Sequence, residues 1–250
     1  MDYNEFIIKF EKIIYQEIQD SYPRYWQEDS ITNSLLKRLE KEFHSLELEL
    51  EGDNILRIDW QSYKATGTIE NKLGDILVIV HYKDDENDHC LIGVSTLEAK
   101  RRYEAVDTFS AIKFEQLERI TDNLPLSKLL LYDYEDNNNF HIPLDMKTKM
   151  VTLPAKICST LEKKNLSLYN FSLPLSLQFV DRYFKALDLD FDESIISSVN
   201  EYINTKNLNG SFQFILTLHI NKNGYYTGDR IGNTISISLD KYERVVDRAI

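Results

Sequence analysis

The 250-residue sequence predicts an α/β protein, a mixed sheet flanked by helices with a C-terminal α+β extension. Three observations carry that prediction. Apolar residues recur at helical spacing through the N-terminal segment, and from about residue 46 the period changes to two. A later run, LGDILVIVHY, is too continuously apolar for a sheet wetted on one face, and CLIGVSTLEAK returns as the next strand.

In order along the chain, residues 3–19 place Phe6, Ile7, Phe10, Ile13, Ile14 and Ile18 on one helical face. A loop with Pro23 follows. A second helix opens near Glu28-Asp29-Ser30 and turns Ile31, Leu35, Leu36 and Leu39 inward, with acids in its first turn complementing the helix dipole. LELELE alternates strictly, and NILRIDW and YKATGTIE read as short strands separated by Gly52-Asp53-Asn54 and Gln61-Ser62. LGDILVIVHY is a central strand, residues 84–88 its turn, and CLIGVSTLEAK the returning strand. Residues 109–121 form a helix and KLLLYDY a short buried strand. This gives a domain over residues 1–145, with Asn137-Asn138-Asn139 in a loop near its end. Within 146–250, SLQFVDRYFKALDL and ESIISSVNEYI read as helices, and SFQFILTLHI and NTISISLD as strands on either side of a turn region at 224–228. That part is either a small second domain or an extension of the first sheet.

Composition narrows the function. No apolar run approaches the ~20 residues needed to span a bilayer, and the N-terminus is amphipathic and acidic, unlike a signal or transit peptide. The expectation is a cytoplasmic protein with no membrane partner. Cys90 and Cys158 lack metal-ligand spacing and read as buried reduced thiols. The net charge of −12 opposes nucleic-acid binding, because phosphate contacts supply most non-specific affinity. Its distribution is uneven: residues 141–185 hold seven bases (Lys147, Lys149, Lys156, Lys163, Lys164, Arg182 and Lys185) against three acids. They make either a local basic face or ordinary solvated surface. No GxxxxGK[ST] loop, GxSxG elbow or Cys–His pairing with a third member occurs, which argues against an ATPase or a nucleophilic hydrolase. His81, inside an apolar strand, and His89, in the turn, read as structural.

The chemistry concentrates in the two central strands. Alternation puts Glu98 and Lys100 on one face, with Leu97 and Ala99 on the other. If the strands form a hairpin closed near 84–89, Asp75 returns opposite the far end of the second strand, close to Glu98. Two hard carboxylates at one spot suit Mg²⁺, and the Lys100 ammonium beside them suits a water nucleophile and developing phosphoryl charge. The tripeptide alone is background. Ser159-Thr160-Leu161-Glu162-Lys163-Lys164 repeats the pattern of Ser95-Thr96-Leu97-Glu98-Ala99-Lys100 with no Asp-led strand before it, and reads as surface. The pairing of strands gives the first copy its weight.

Asp75, the strand after it and Glu98-Ala99-Lys100 resemble the PD-(D/E)xK nuclease superfamily, the restriction-endonuclease-like fold, over roughly residues 20–135. Its core runs helix, three strands, helix, strand. The resemblance implies Asp75 and Glu98 as ligands of Mg²⁺ or Mn²⁺, the Ala99 carbonyl as a further ligand, and Lys100 acting on water. It also implies a glutamate from the preceding helix, for which Glu28 is the candidate and Asp29 the fallback, although Asp29 or Ser30 also suits a helix cap. A glutamine on the helix after the lysine strand matches Gln116. Gly74-Asp75 replaces the Pro-Asp of the superfamily's name. Arg101 and Arg102 suit phosphate contacts or ion pairs with Glu104 and Asp107, while Tyr22, Tyr25 and Trp26 suit either an unpaired base or packing over the helix entry.

The reading that follows is a Mg²⁺-dependent nuclease acting on nucleic acid, DNA first, in a phage-defence or restriction setting. It relies on a protein partner or self-assembly for substrate capture. The alternative is a non-catalytic adaptor in a nucleic-acid-processing or defence complex, which the charge favours. An acidic DNA mimic is the third option, and the apolar strands around Glu98 count against it.

Overall fold

A computed structural model describes residues 1–50, 55–67, 73–84, 89–104, 106–137, 140, 147–204, 212–223 and 235–246. The chain opens with helices α1 (Tyr3–Ser21) and α2 (Glu28–Phe43), then strands β1 (Ser45–Glu49), β2 (Ile55–Ala65), β3 (Ile76–Asp84) and β4 (His89–Arg101). Helix α3 (Phe114–Asn123), β5 (Lys128–Asn137), β6 (Thr148–Pro154) and α4 (Ala155–Leu161) follow. After a 3-10 helix (Leu166–Phe171) come β7 (Leu173–Pro174), α5 (Leu175–Leu177), α6 (Glu193–Asn204), β8 (Phe214–Lys222) and β9 (Tyr242–Arg244).

All described strands join one mixed sheet in the order β1-β2-β8-β3-β4-β5-β6-β7, with β9 pairing β2. β3/β8 and β4/β5 are parallel, and the remaining pairs are antiparallel. Two faces result from the pleat. Ile76, Val78 and Val80 of β3 join the core under α1 and α2, whereas Leu77 and Ile79 face Val199 and Ile203 of α6. Each such side chain, once fully buried, stabilises by roughly 1.5–3 kcal/mol. On the latter side of the sheet, Leu129 and Leu131 of β5 meet Leu117 of α3 and Cys158 of α4. The expected covered central strand is thus present.

Several expectations need correction. NILRIDW and the start of YKATGTIE form one strand, β2, because Gln61 and Ser62 stay in register with Thr217 and Leu216 of β8. The helix expected from 109 starts at Phe114; Phe109 and Ile112 are buried before it in non-helical backbone. SLQFVDRYFKALDL is not one helix: α5 passes into a π turn (Gln178–Arg182) and a 3-10 turn (Tyr183–Lys185), ending with Ala186 at φ 54°. Residues 235–238 of NTISISLD lie outside any strand. Helix α2 is preceded by Gln27 at its N-cap, so neither Asp29 nor Ser30 caps it. Cys158 is buried as expected, but Cys90 is exposed. The turn at 85–88, the region 224–228 and the boundary near 145 lie outside the described residues.

The C-terminal half does not stand apart as a second small domain. β6 and β7 lengthen the sheet, and β8 lies at its centre, between β2 and β3. Phe179 also enters the N-terminal core, with its ring centroid 4.8 Å from that of Trp60. Among the described residues four strands, not three, separate α2 from α3, and β2 and β3 are not neighbours. No helix among the described residues is long and apolar enough to cross a membrane.

Candidate active site

The site forms where β3 begins and β4 ends. Antiparallel pairing sets Ile76 opposite Leu97, so Asp75 comes level with Glu98. The Asp75 backbone N–H donates to the Leu97 carbonyl at 3.0 Å, and its Oδ2 accepts from the Ala99 N–H at 2.8 Å. That second bond holds the carboxylate against the acid–lysine strand.

Gly74 explains why the sequence departs from Pro-Asp at this point. Its φ is +115°, which proline, locked near −65°, cannot adopt. A Cβ built on it would stand 2.1 Å from Thr96 Oγ1, on the neighbouring strand. Only glycine fits, and its turn delivers Asp75 to Ala99.

Glu98 and Lys100 share a face, 1% and 6% exposed, although both are charged types. Lys100 Nζ donates to Glu98 Oε1, and Gln116 Nε2 from α3 donates to the same oxygen at 2.7 Å. Glu98 Oε2 is buried with no hydrogen-bond partner. From the opposite layer, Glu28 in the first turn of α2 accepts the Arg101 backbone N–H at 3.1 Å through Oε1. Five of the residues singled out in the sequence, Glu28, Asp75, Glu98, Lys100 and Gln116, therefore converge, and Ala99 anchors one of them by its main chain. Asp29, the fallback, is exposed.

The electrostatics follow from burial. Desolvation, aided by the Asp75 charge, pushes the Glu98 carboxyl well above its usual range, and the Lys100 ammonium only partly offsets this. Glu28 is also raised by burial, with Lys100 opposing. Burial works to lower the Lys100 pKa, but Glu98, Asp75 and Glu28 outweigh it and hold the ammonium charged. The cluster is thus three carboxylates around one cation.

In kind, this all-oxygen donor set fits a hard divalent cation such as Mg²⁺ or Mn²⁺, and the unpartnered Glu98 Oε2 is a free donor atom. In position the set is not assembled: among the described residues no three His, Cys, Asp or Glu side chains are gathered as a metal-holding group. Glu98 Oε1 is taken by Lys100 and Gln116, so coordination requires that contact to loosen.

Several flanking residues take structural roles. Arg102 is 4% exposed and pairs with Asp107, with Asp133 at 3.0 Å and with Glu135 at 2.7 Å. It is not available to phosphate, and Glu104 instead accepts from the Tyr22 hydroxyl. The Arg101 guanidinium lies over the Tyr103 ring at 4.3 Å. Trp26 packs over the helix entry and donates from Nε1 to the Arg102 carbonyl at 2.7 Å, while Tyr22 stacks on Tyr134. Glu162 and Lys163 are exposed, as expected of the second tripeptide copy. Within 141–185, Lys149 is buried against the Tyr134 carbonyl and Asp136, so it adds nothing to a basic face.

Sequence reasoning missed the Trp26 and Arg102 contacts that lock the α2 entry to β4. No local signal announces them, since each joins residues distant in the chain. No family model, curated protein or solved structure matches this chain.

Proposed function

We propose that the chain is a metal-dependent phosphodiesterase acting on nucleic acid, DNA first, with a PD-(D/E)xK-type site on a restriction-endonuclease-like core. The observation that carries this reading is the convergence of Glu28, Asp75, Glu98 and Lys100, from two helix and strand layers, on one partly sealed spot. Structural ion pairs also cluster carboxylates. They do not usually leave a buried carboxylate oxygen unpartnered beside two further acids.

Asp75, Glu98 and Glu28 would hold a Mg²⁺ or Mn²⁺ ion, with the Ala99 carbonyl as a further ligand. Such an ion, when bound, polarises the phosphoryl group and lowers the pKa of water. Lys100, kept charged by its three acidic neighbours, serves as an electrostatic clamp that orients water and offsets charge at phosphorus. Gln116 restrains Glu98 so that the carboxylate keeps its direction when Lys100 turns toward substrate. Water attacks phosphorus in line and the 3′ oxygen leaves. The net charge of −12 gives no long-range attraction for a polyanion, so substrate capture falls to a partner or a second copy.

The test is cleavage of single- and double-stranded DNA and of RNA with Mg²⁺ or Mn²⁺. Asp75→Ala and Lys100→Ala should lose at least about a hundredfold in rate, the usual scale for electrostatic and acid–base groups, with circular dichroism unchanged. Undiminished cleavage by both folded variants overturns the assignment. The net charge and the closed Lys100–Glu98 contact favour one second reading, a non-catalytic adaptor keeping this fold. For an adaptor, calorimetry should find no Mn²⁺ binding that depends on Asp75 and Glu98.

A further inference from the structure

The sheet face that carries Leu77 and Ile79 also holds a polar pocket, about six residues along β3 from Asp75 or roughly 20 Å. His81 of β3 and His219 of β8 are register partners on parallel strands. Their rings stack at 4.5 Å between centroids, 10° from parallel. Asp59 of β2 is the partner of His219 on its other side. Three strands thus set Asp59, His219 and His81 in one row.

A cavity of about 230 Å³ opens beside the two rings. Thr217 and Gln61 continue its polar side, and Ile235 and Ile237 contribute apolar walls. His81 is 1% exposed and its Nδ1 has no hydrogen-bond partner. A buried unsatisfied nitrogen costs about 1–3 kcal/mol.

The chemistry of the lining selects the occupant. Burial lowers the His81 pKa to about 3, helped by His219. It lowers His219 as well, although Asp59 pulls the other way. Both rings are therefore uncharged at neutral pH, and each offers one donor and one acceptor. Among the described residues no lysine or arginine lines the cavity, and the Asp59 carboxylate acts on His219 from beside it. A phosphate or carboxylate ligand would find no countercharge among them. The volume lies below the ~300 Å³ of sites for drug-sized molecules, so the ligand is a single small ring system.

We propose that this pocket binds a small uncharged heteroaromatic ring of pyrimidine-base size, its polar edge met by His81, His219 and Thr217 and its apolar surface covered by Ile235 and Ile237. The site is independent of the nuclease reading, and its test does not use cleavage. The full chain, labelled with ¹⁵N-histidine, is titrated with uracil, cytosine and uridine 5′-monophosphate while the imidazole resonances are followed. Uracil or cytosine should shift the His81 and His219 signals saturably, and the monophosphate should bind at least about tenfold more weakly. Thr217→Val, which removes one hydroxyl at nearly constant volume, should weaken base binding about tenfold. Ile237→Trp, which fills the cavity, should abolish it, with thermal unfolding confirming that both variants fold. The proposal is overturned if neither base shifts the resonances up to its solubility limit. It is equally overturned if the monophosphate binds as well as the base, or if both folded variants bind like the wild type.

Discussion

Replacing Glu11 by glutamine should stabilise this protein at alkaline pH and leave it nearly unchanged at acidic pH. Glu11 lies on the buried face of α1, 1% exposed. Its Oε1 accepts from the Ser176 hydroxyl, and Oε2 has no partner. Burial raises the carboxyl from 4.5 to about 7 against the opposing hydrogen bond from Ser176. Between those two values the unfolded chain has released its proton and the folded chain retains it. The folded state then binds more protons, so stability falls as pH rises through the window and levels off above about 7. At 1.36 kcal/mol per pKa unit the total is about 3 kcal/mol. Glutamine carries no charge to desolvate and can still accept from Ser176. The variant should therefore exceed wild type by up to about 3 kcal/mol at pH 8, or roughly 6–12 °C in Tm for a domain of this size. Urea and thermal denaturation at half-unit steps from pH 4 to 8 provide the measurement. A wild-type-to-variant difference that stays constant across that range, or that grows toward low pH, refutes the reasoning.

Three further outcomes are expected. Gly74→Ala should cost about 2–5 kcal/mol, combining the positive-φ strain with a Cβ driven against Thr96; a thermal midpoint within a degree of wild type would contradict the account of that turn. Arg102→Ala strips the buried Asp133 carboxylate of its ion pair and should cost about 3–5 kcal/mol in urea denaturation, whereas a loss below about 1 kcal/mol would show the network to be incidental. Gln116→Ala removes one hydrogen bond to a carboxylate, worth about 1.5–3 kcal/mol. Cleavage should then fall about tenfold or more, with the unfolding midpoint lowered by about 3–12 °C, and a rate equal to wild type would remove Gln116 from the site.

How much of the site was legible depends on how local its cause is. Asp75, Glu98 and Lys100 could be placed because a strand alternates its faces and a hairpin returns its chain, so two runs and one turn suffice to bring them level. Glu28 and Gln116 rested on a resemblance, and the structure does bring both to Glu98 and its neighbours through Arg101 N–H and Glu98 Oε1. Among the described residues no group of acids is gathered for a metal, and a buried ammonium two residues from Glu98 closes on its carboxylate. In the sequence Gly74 is only a departure from pattern. Its conformation turns that departure into a requirement.

By itself the sequence determined what local periodicity can carry: α1 and α2, the covered strand β3, its antiparallel partner β4, and the level at which their acids and lysine meet. Tertiary structure alone decided the position of β8. Nothing in SFQFILTLHI states which strands it will separate. Its insertion between β2 and β3 makes the C-terminal half part of the central sheet and sets His219 between Asp59 and His81. The same holds for the lock of Trp26 on the Arg102 carbonyl. Alternation and helical spacing are properties of neighbouring residues. Strand order and long-range hydrogen bonds are chosen by the packing of the whole chain, which must bury both faces of the sheet at once.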